Sequence, residues 1–197
     1  MYEKILANDF IFETSTVEIS DNGKIINASN GSATTNDGSI KIIANKFYYN
    51  KKLSSLKATG NVTVVDTLNS ATLKSENILY EFKNKIIKSN LDSSIQDNLN
   101  NFFYVKSFNY NLKKKIIKMN TLKVIDSDKN EINLDKAYLN LKKNRLVGKD
   151  LSINFNTKNF DSNNEPRLKA LTVSANKDAS YYTKGIFTTC KKNDSCP

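Results

Sequence analysis

The chain has 197 residues, with 30 Lys+Arg against 20 Asp+Glu for a formal net charge of +10, two cysteines, no histidine and no tryptophan. That length suits one domain, or one with a small appendage. Without histidine there is no imidazole for a Ser-His-Asp or Cys-His pair, and the commonest metal ligand and general base is missing, so most enzyme classes lose their machinery.

Hydrophobic residues at 39% suffice for a core, and with only 6 Gly and 2 Pro the tight turns fall to Asn, Asp and Ser. No stretch approaches the 18 or so consecutive apolar residues of a spanning helix. The N-terminus, MYEKILANDFIFE, has no basic head, apolar run and small-residue cleavage site. The chain is therefore expected to be cytosolic, or a mature or excised piece.

Taken in order, the sequence repeats. NKFYYNKK at 45–52, ENILYEFK at 76–83, KSFNYNLKKK at 106–115 and KAYLNLKK at 136–143 superimpose, with Tyr49, Tyr80, Tyr110 and Leu139 equivalent. A weaker copy precedes them and places Ile19 thirty residues before Tyr49. Within each copy the apolar period is two, as in Phe47/Tyr49, Ile78/Tyr80 and Phe108/Tyr110, followed by a Lys/Asn turn and a β-branched strand. The stretch 91–101 is too polar and Asn-rich for a helix. The expected fold is all-β, an open β-jelly-roll or solenoid-like stack of roughly 30-residue strand repeats, because such repeats bury a face only by stacking. The repeats fill residues 1–157. The polar segment KNFDSNNEPR at 158–167 reads as a linker or long loop, and 158–197 holds one or two further strands and a cysteine-containing tail.

Alternation places Phe47, Tyr49, Val62, Val64, Ile78, Tyr80, Phe108, Tyr110, Val124 and Leu139 on one face. That face is either an ordinary core or, if the sheets stay apart, an apolar groove for acyl chains, each buried methylene contributing roughly 0.8 kcal/mol. Tyrosine near the strand ends fits a wet rim. Lys51, Lys52, Lys83, Lys113 and Lys142, with Lys85, Lys114, Lys115 and Lys143, fall at one point of the repeat, so stacking aligns them as a ladder suited to phosphates or an anionic surface, or simply to solvent. DSDKNE at 126–131 mimics a calcium loop, but Glu131 stands where Gly is wanted and Ala137 where a bidentate Glu is required, so it reads as a turn. No metal, cofactor or catalytic site is expected. A pI near 9.4 suggests nucleic acid, but with only Arg145 and Arg167 the residue that reads and stacks on bases is nearly absent. Cys190 and Cys196 have the wrong spacing for a CxxC site and favour a disulfide in an oxidising compartment.

The repeat around YYNKKLSSLKATGNVTVVD, then NEPRLKA and KGIFTTCKKNDSCP, resembles the OstA-like family, and its tail resembles the LptD branch, the outer-membrane proteins of lipopolysaccharide assembly. The resemblance implies the N-terminal periplasmic domain of such a protein, at the outer membrane of a Gram-negative bacterium. Lipopolysaccharide would arrive from the bridge protein LptA and pass to a C-terminal β-barrel plugged by the lipoprotein LptE, absent from these residues. Docking of the bridge by strand addition is expected at residues 5–13. Cys190 and Cys196 would pair with each other or with barrel cysteines. The alternatives are an LptA-like bridge and a structural or adhesive repeat protein without a lipid.

Overall fold

A computed structural model describes residues 3–7, 9–126, 128–160 and 164–191. Apart from one turn of 3-10 helix at Thr157–Asn159, its regular structure is all strand: β1 (Glu3–Leu6), β2 (Phe10–Ser20), β3 (Ile25–Thr35), β4 (Ile40–Asn50), β5 (Ser55–Asp66), β6 (Ala71–Glu81), β7 (Ile86–Ser89), β8 (Ser93–Gln96), β9 (Phe102–Asn111), β10 (Ile116–Ile125), β11 (Glu131–Asn140), β12 (Arg145–Asn154), β13 (Arg167–Ala175) and β14 (Ser180–Thr188). All lie in one antiparallel sheet in chain order. β7 and β8 are two halves of a single strand position, since both pair with β6 and β9. The edges β1 and β14 do not pair with each other, so the jelly-roll is open.

Each long strand bends at its middle. In β4 the buried side chains are Ile40, Ile42 and Ala44, then Phe47 and Tyr49; in β9 they are Phe103 and Val105, then Phe108 and Tyr110. One additional residue at the bend switches the parity, so that both halves keep their apolar side chains on the same face. Bends recur about every 15 residues, and residues at them take left-handed backbone, as in Asn30 (φ 50°), Asn61 (φ 49°), Thr121 (φ 49°), Asp150 (φ 56°) and Lys184 (φ 51°). The sheet thus folds along a line into two arms, with the core between them.

The arms end in two rows of turns with different chemistry. On one edge lie turns 20–24, 50–54, 81–85, 111–115 and 140–144, stacked by backbone bonds of 2.9 Å from Lys51 N to Lys24 O, Phe82 N to Ser54 O, Leu112 N to Lys85 O and Leu141 N to Lys115 O. Asn50, Asn111 and Asn140 open three of these turns by accepting from a backbone N–H three residues on. On the other edge carboxylates do that work: Asp37, Asp66, Asp97 and Asp126 each accept from their own turn's backbone. The calcium-like stretch is one of these turns, with Asp126 Oδ1 taken up by the N–H groups of Asp128 and Asn130. Asn and Asp do turn the chain, as their local hydrogen bonding favours, and Lys85 (φ 55°) and Lys115 (φ 56°) join them in left-handed backbone.

The N-terminal expectation needs correction. Residues 5–13 are not one edge strand: Ala7 N donates to Phe10 O at 2.8 Å, a turn that separates β1 from β2. β2 is paired on both sides, and the free edge is the four-residue β1. The 3-10 turn at Thr157–Asn159 follows β12, residues 161–163 of the polar segment lie outside the described residues, and β13 returns beside β12 and β14 beside β13.

Candidate functional site

Register places the ten proposed groove residues on four inward rows that run across the strands. Tyr49, Tyr80, Tyr110 and Leu139 share one, with Leu56, Ile87 and Ile117 between them. Phe47, Ile78 and Phe108 stand on a second. Val62 lies on a third, and Val64 and Val124 belong to a fourth, closer to the acidic edge. They share one apolar interior, and all but the half-buried Val124 are buried: Phe47 is 3% exposed, Tyr80 1% and Phe108 3%.

Aromatic contacts between the arms close that interior from β2 to the end of β6. Phe10 meets Tyr49, Tyr80 and Phe82 edge-on at ring-centroid distances of 5.6, 5.6 and 5.7 Å, and Phe12 meets Phe47 at 6.0 Å. Such pairs contribute about 0.5–1.5 kcal/mol each beyond area burial. The tyrosine hydroxyls do not form a wet rim. Tyr49 Oη donates to Asp9 Oδ2 at 2.7 Å, and Tyr110 Oη donates to Asp66 Oδ2 while accepting from Asn69 Nδ2 at 3.2 Å. These bonds tie the lysine edge of one arm to the aspartate edge of the other. Burial foremost pushes all three phenols, Tyr49, Tyr80 and Tyr110, well above their ordinary range, and the facing carboxylates add to it.

The latch stops where the fourth repeat places Leu139, which has no hydroxyl. Beyond it inward residues such as Leu151, Ile153 and Val173 stay buried, and among the described residues the interior becomes exposed only at the edge strand β14. The inward row Val124–Ile132–Ile153–Leu168–Phe187 runs from half-buried to 56% exposed at Phe187, and Tyr182, opposite the buried Val173, is 43% exposed. Phe155 and Phe187 contact edge-on at 5.9 Å at this mouth. Alternation alone could have found Leu168, Tyr182 and Phe187, but their strands lie past the end of the repeat.

The ladder lysines Lys51, Lys52, Lys83, Lys113 and Lys142 are all exposed on the stacked turns. The acids of that edge are compensated: Asp21 lies 3.8 Å from Lys24. Glu81 is bonded to Lys88, whose hydrogen bond lowers its pKa. On the opposite edge, hydrogen bonds from Thr35 and Ser39 hold Asp37 down at about 2. Cys190 lies two residues past β14, its carbonyl accepting from Arg167 Nη1 at 2.7 Å; Cys196 lies outside the described residues. No cluster of three or more metal-ligating side chains occurs among the described residues, and no described helix is long and apolar enough to cross a membrane.

No family model matches the chain, and no curated protein is similar to it. Among solved structures it is similar to LptH, the LptA homologous periplasmic component of the lipopolysaccharide transport device of Pseudomonas aeruginosa. The match has 14% identity and a TM-score of 0.44 and spans 52% of this chain and 76% of that one. A likeness of that size does not assign a function.

Proposed function

We propose that this chain is a segment of a lipopolysaccharide conduit, a non-enzymatic, exported β-stack whose apolar interior solvates acyl chains in the periplasm of a Gram-negative bacterium. The finer reading is the N-terminal domain of an LptD-type assembly protein. It would take lipopolysaccharide from an LptA bridge and deliver it to its own β-barrel and LptE. An LptA-like bridge role draws equal support. The observation that carries the proposal is the inward apolar row that continues through the sheet to a half-buried Leu168 and ends at an exposed Phe187 on the edge strand.

In this reading Leu168, Tyr182 and Phe187 receive the acyl chains, and the lysines of the stacked turns attract phosphates held outside. The free edges β1 and β14 present backbone donors and acceptors for strand addition by the neighbouring segments. The proposed disulfide of Cys190, to Cys196 or to a barrel cysteine, would fix the end of β14. The groove positions in the latched strands become lipid contacts only when the tyrosine latch parts.

The burial of Phe47, Tyr80 and Phe108 favours the competing reading, a structural repeat protein with a dry core. Photo-crosslinking separates the two. A photoreactive residue at Leu168, Tyr182 or Phe187 should crosslink to added lipopolysaccharide, one at Lys51 should not, and one at Phe108 reports whether the latch opens. Silence from all three mouth positions in folded protein would leave the dry-core reading standing.

A further inference from the structure

We propose that the outer side of the bend is a second binding site, built for a neutral polyhydroxylated chain, a glycan, and separate from the interior. Two recesses of about 960 and 620 Å³ lie along this line and meet at Asn61, which borders both. Together they extend from Lys4 on β1 to Asp150 on β12. From β5 to β12 alone the groove spans seven strand positions, six steps of about 4.8 Å or about 29 Å.

One wall is a row of outward side chains, each paired in register with the next: Thr63, Lys74, Ser94, Tyr104, Lys123 and Asn133. Their strand neighbours, such as Leu73, Ser75, Phe103 and Val105, are buried, so this row faces away from the core. The other wall is the bend itself, with Asn61, Glu76, Lys106, Thr121, Asp135 and Asp150.

Three observations select the ligand chemistry. First, pairing lapses at the bend. Between β9 and β10 it passes from Ser107/Asn120 to Val105/Leu122, and between β11 and β12 from Lys136/Lys149 to Asn133/Ser152. Beside these gaps the groove is lined by Asn61, Thr63, Ser94, Thr121 and Asn133, whose side chains both donate and accept. Second, the charges cancel locally. Lys106 meets Asp92 at 3.0 Å, Lys123 meets Glu131 at 3.5 Å, and Lys149 meets Asp135 and Asp150 at 3.6 and 3.2 Å. A polyanion or a polycation therefore finds no net field to bind. Third, an acyl chain would desolvate these groups without replacing their hydrogen bonds.

A glycan satisfies all three, because every sugar unit carries hydroxyls that donate and accept. Tyr104, 51% exposed, supplies a ring face for the apolar side of a sugar. The bend is the closed side of the stack, away from both turn edges, so the headgroup of a lipid lodged between the arms does not reach it. The site therefore takes a saccharide chain of its own.

Titration calorimetry of the whole chain tests this with two soluble neutral probes, chitohexaose and a neutral O-polysaccharide prepared from lipopolysaccharide and freed of its lipid and its phosphorylated core. At least one should bind saturably. Tyr104→Ala, and Thr63→Trp, which fills the groove, should each weaken binding tenfold or more with unchanged circular dichroism. Lys51→Glu, on the distant turn edge, should leave it unchanged. Binding of chitohexaose alone would identify a cell-wall type of glycan, and binding of the polysaccharide alone a lipid-derived one. Absence of binding by both at millimolar concentration, or full binding by both groove variants, would overturn the proposal. None of these variants touches the interior, so this result and the crosslinking result fail independently.

Discussion

The strands up to β9 and the four strands from β11 to β14 belong to one sheet with one bend and one inward apolar face, yet the first group is latched and the second is not. In the first, Phe10 sits among Tyr49, Tyr80 and Phe82, and tyrosine hydroxyls reach carboxylates on the facing arm. In the second, the positions in register with those rows are Leu139, Leu146 and Ala175, which bring no hydroxyl, and the row along the other edge ends in an exposed Phe187. A stack of equivalent repeats can therefore be latched across its arms at one end and unlatched, with an exposed inward edge strand, at the other, and the difference comes from a few side chains at the arm tips.

The contrast predicts unequal sensitivity to matched substitutions. Phe10→Ala should cost about 3–5 kcal/mol, as for other buried aromatics, and Phe187→Ala less than about 1 kcal/mol; urea unfolding of both reads the difference directly. Two glycines stand just after equivalent bend residues, Asn30 and Lys184. A Cβ on Gly31 would lie 2.1 Å from Glu13 O, and one on Gly185 would meet nothing nearer than 3.7 Å. Gly31→Ala should cost about 3 kcal/mol or more by backbone overlap, whereas Gly185→Ala should stay within about 0.5 kcal/mol. Equal effects would mean that the two ends are equally tight.

Smaller effects probe the latch itself. Tyr110→Phe leaves Asp66, a buried carboxylate, without one of its donors and should cost about 1–2 kcal/mol. The raised phenol pKa values also set a pH dependence. Above about pH 10 the unfolded chain releases these protons and the folded chain keeps them, so unfolding is favoured as pH rises. Stability should be flat below pH 10 with respect to these groups and fall steadily above it, and Tyr110→Phe should shallow that fall. Asp37 acts at the other limit: its contribution is present above about pH 4, its unfolded value, and is lost as pH drops toward about 2. A small gain is expected at Lys115, whose left-handed backbone glycine tolerates better. Lys115→Gly should stabilise by less than about 1 kcal/mol in thermal melts.

The repeat, the strands and the shared face of the ten groove residues were legible because their signals are local: an aromatic anchor every 30 residues and alternation around it. The closure was not, because its hydrogen bonds join residues 40 and 44 apart, Tyr49 to Asp9 and Tyr110 to Asp66. Residues 5–13 read as one strand because apolar residues stand at both ends, Ile5–Ala7 and Phe10–Phe12, and a tight turn lacking Gly and Pro leaves no mark. The bend was invisible for a similar reason. It is a single residue whose type varies from Asn to Thr to Asp to Lys, so composition does not announce it. The outer groove depends on that bend and was hidden with it.

The bend also sets where the chain can change length. Elsewhere in a strand, adding one residue would turn every following side chain from core to solvent. β5 carries one residue more than β4 and β6, and it is accommodated at Gly60 and Asn61, both in left-handed backbone, with Val62 and Val64 still inside. Insertions and deletions of single residues should accordingly survive along this one line of the sheet, which makes it the seam through which such a repeat array can drift in sequence while its interior stays in register.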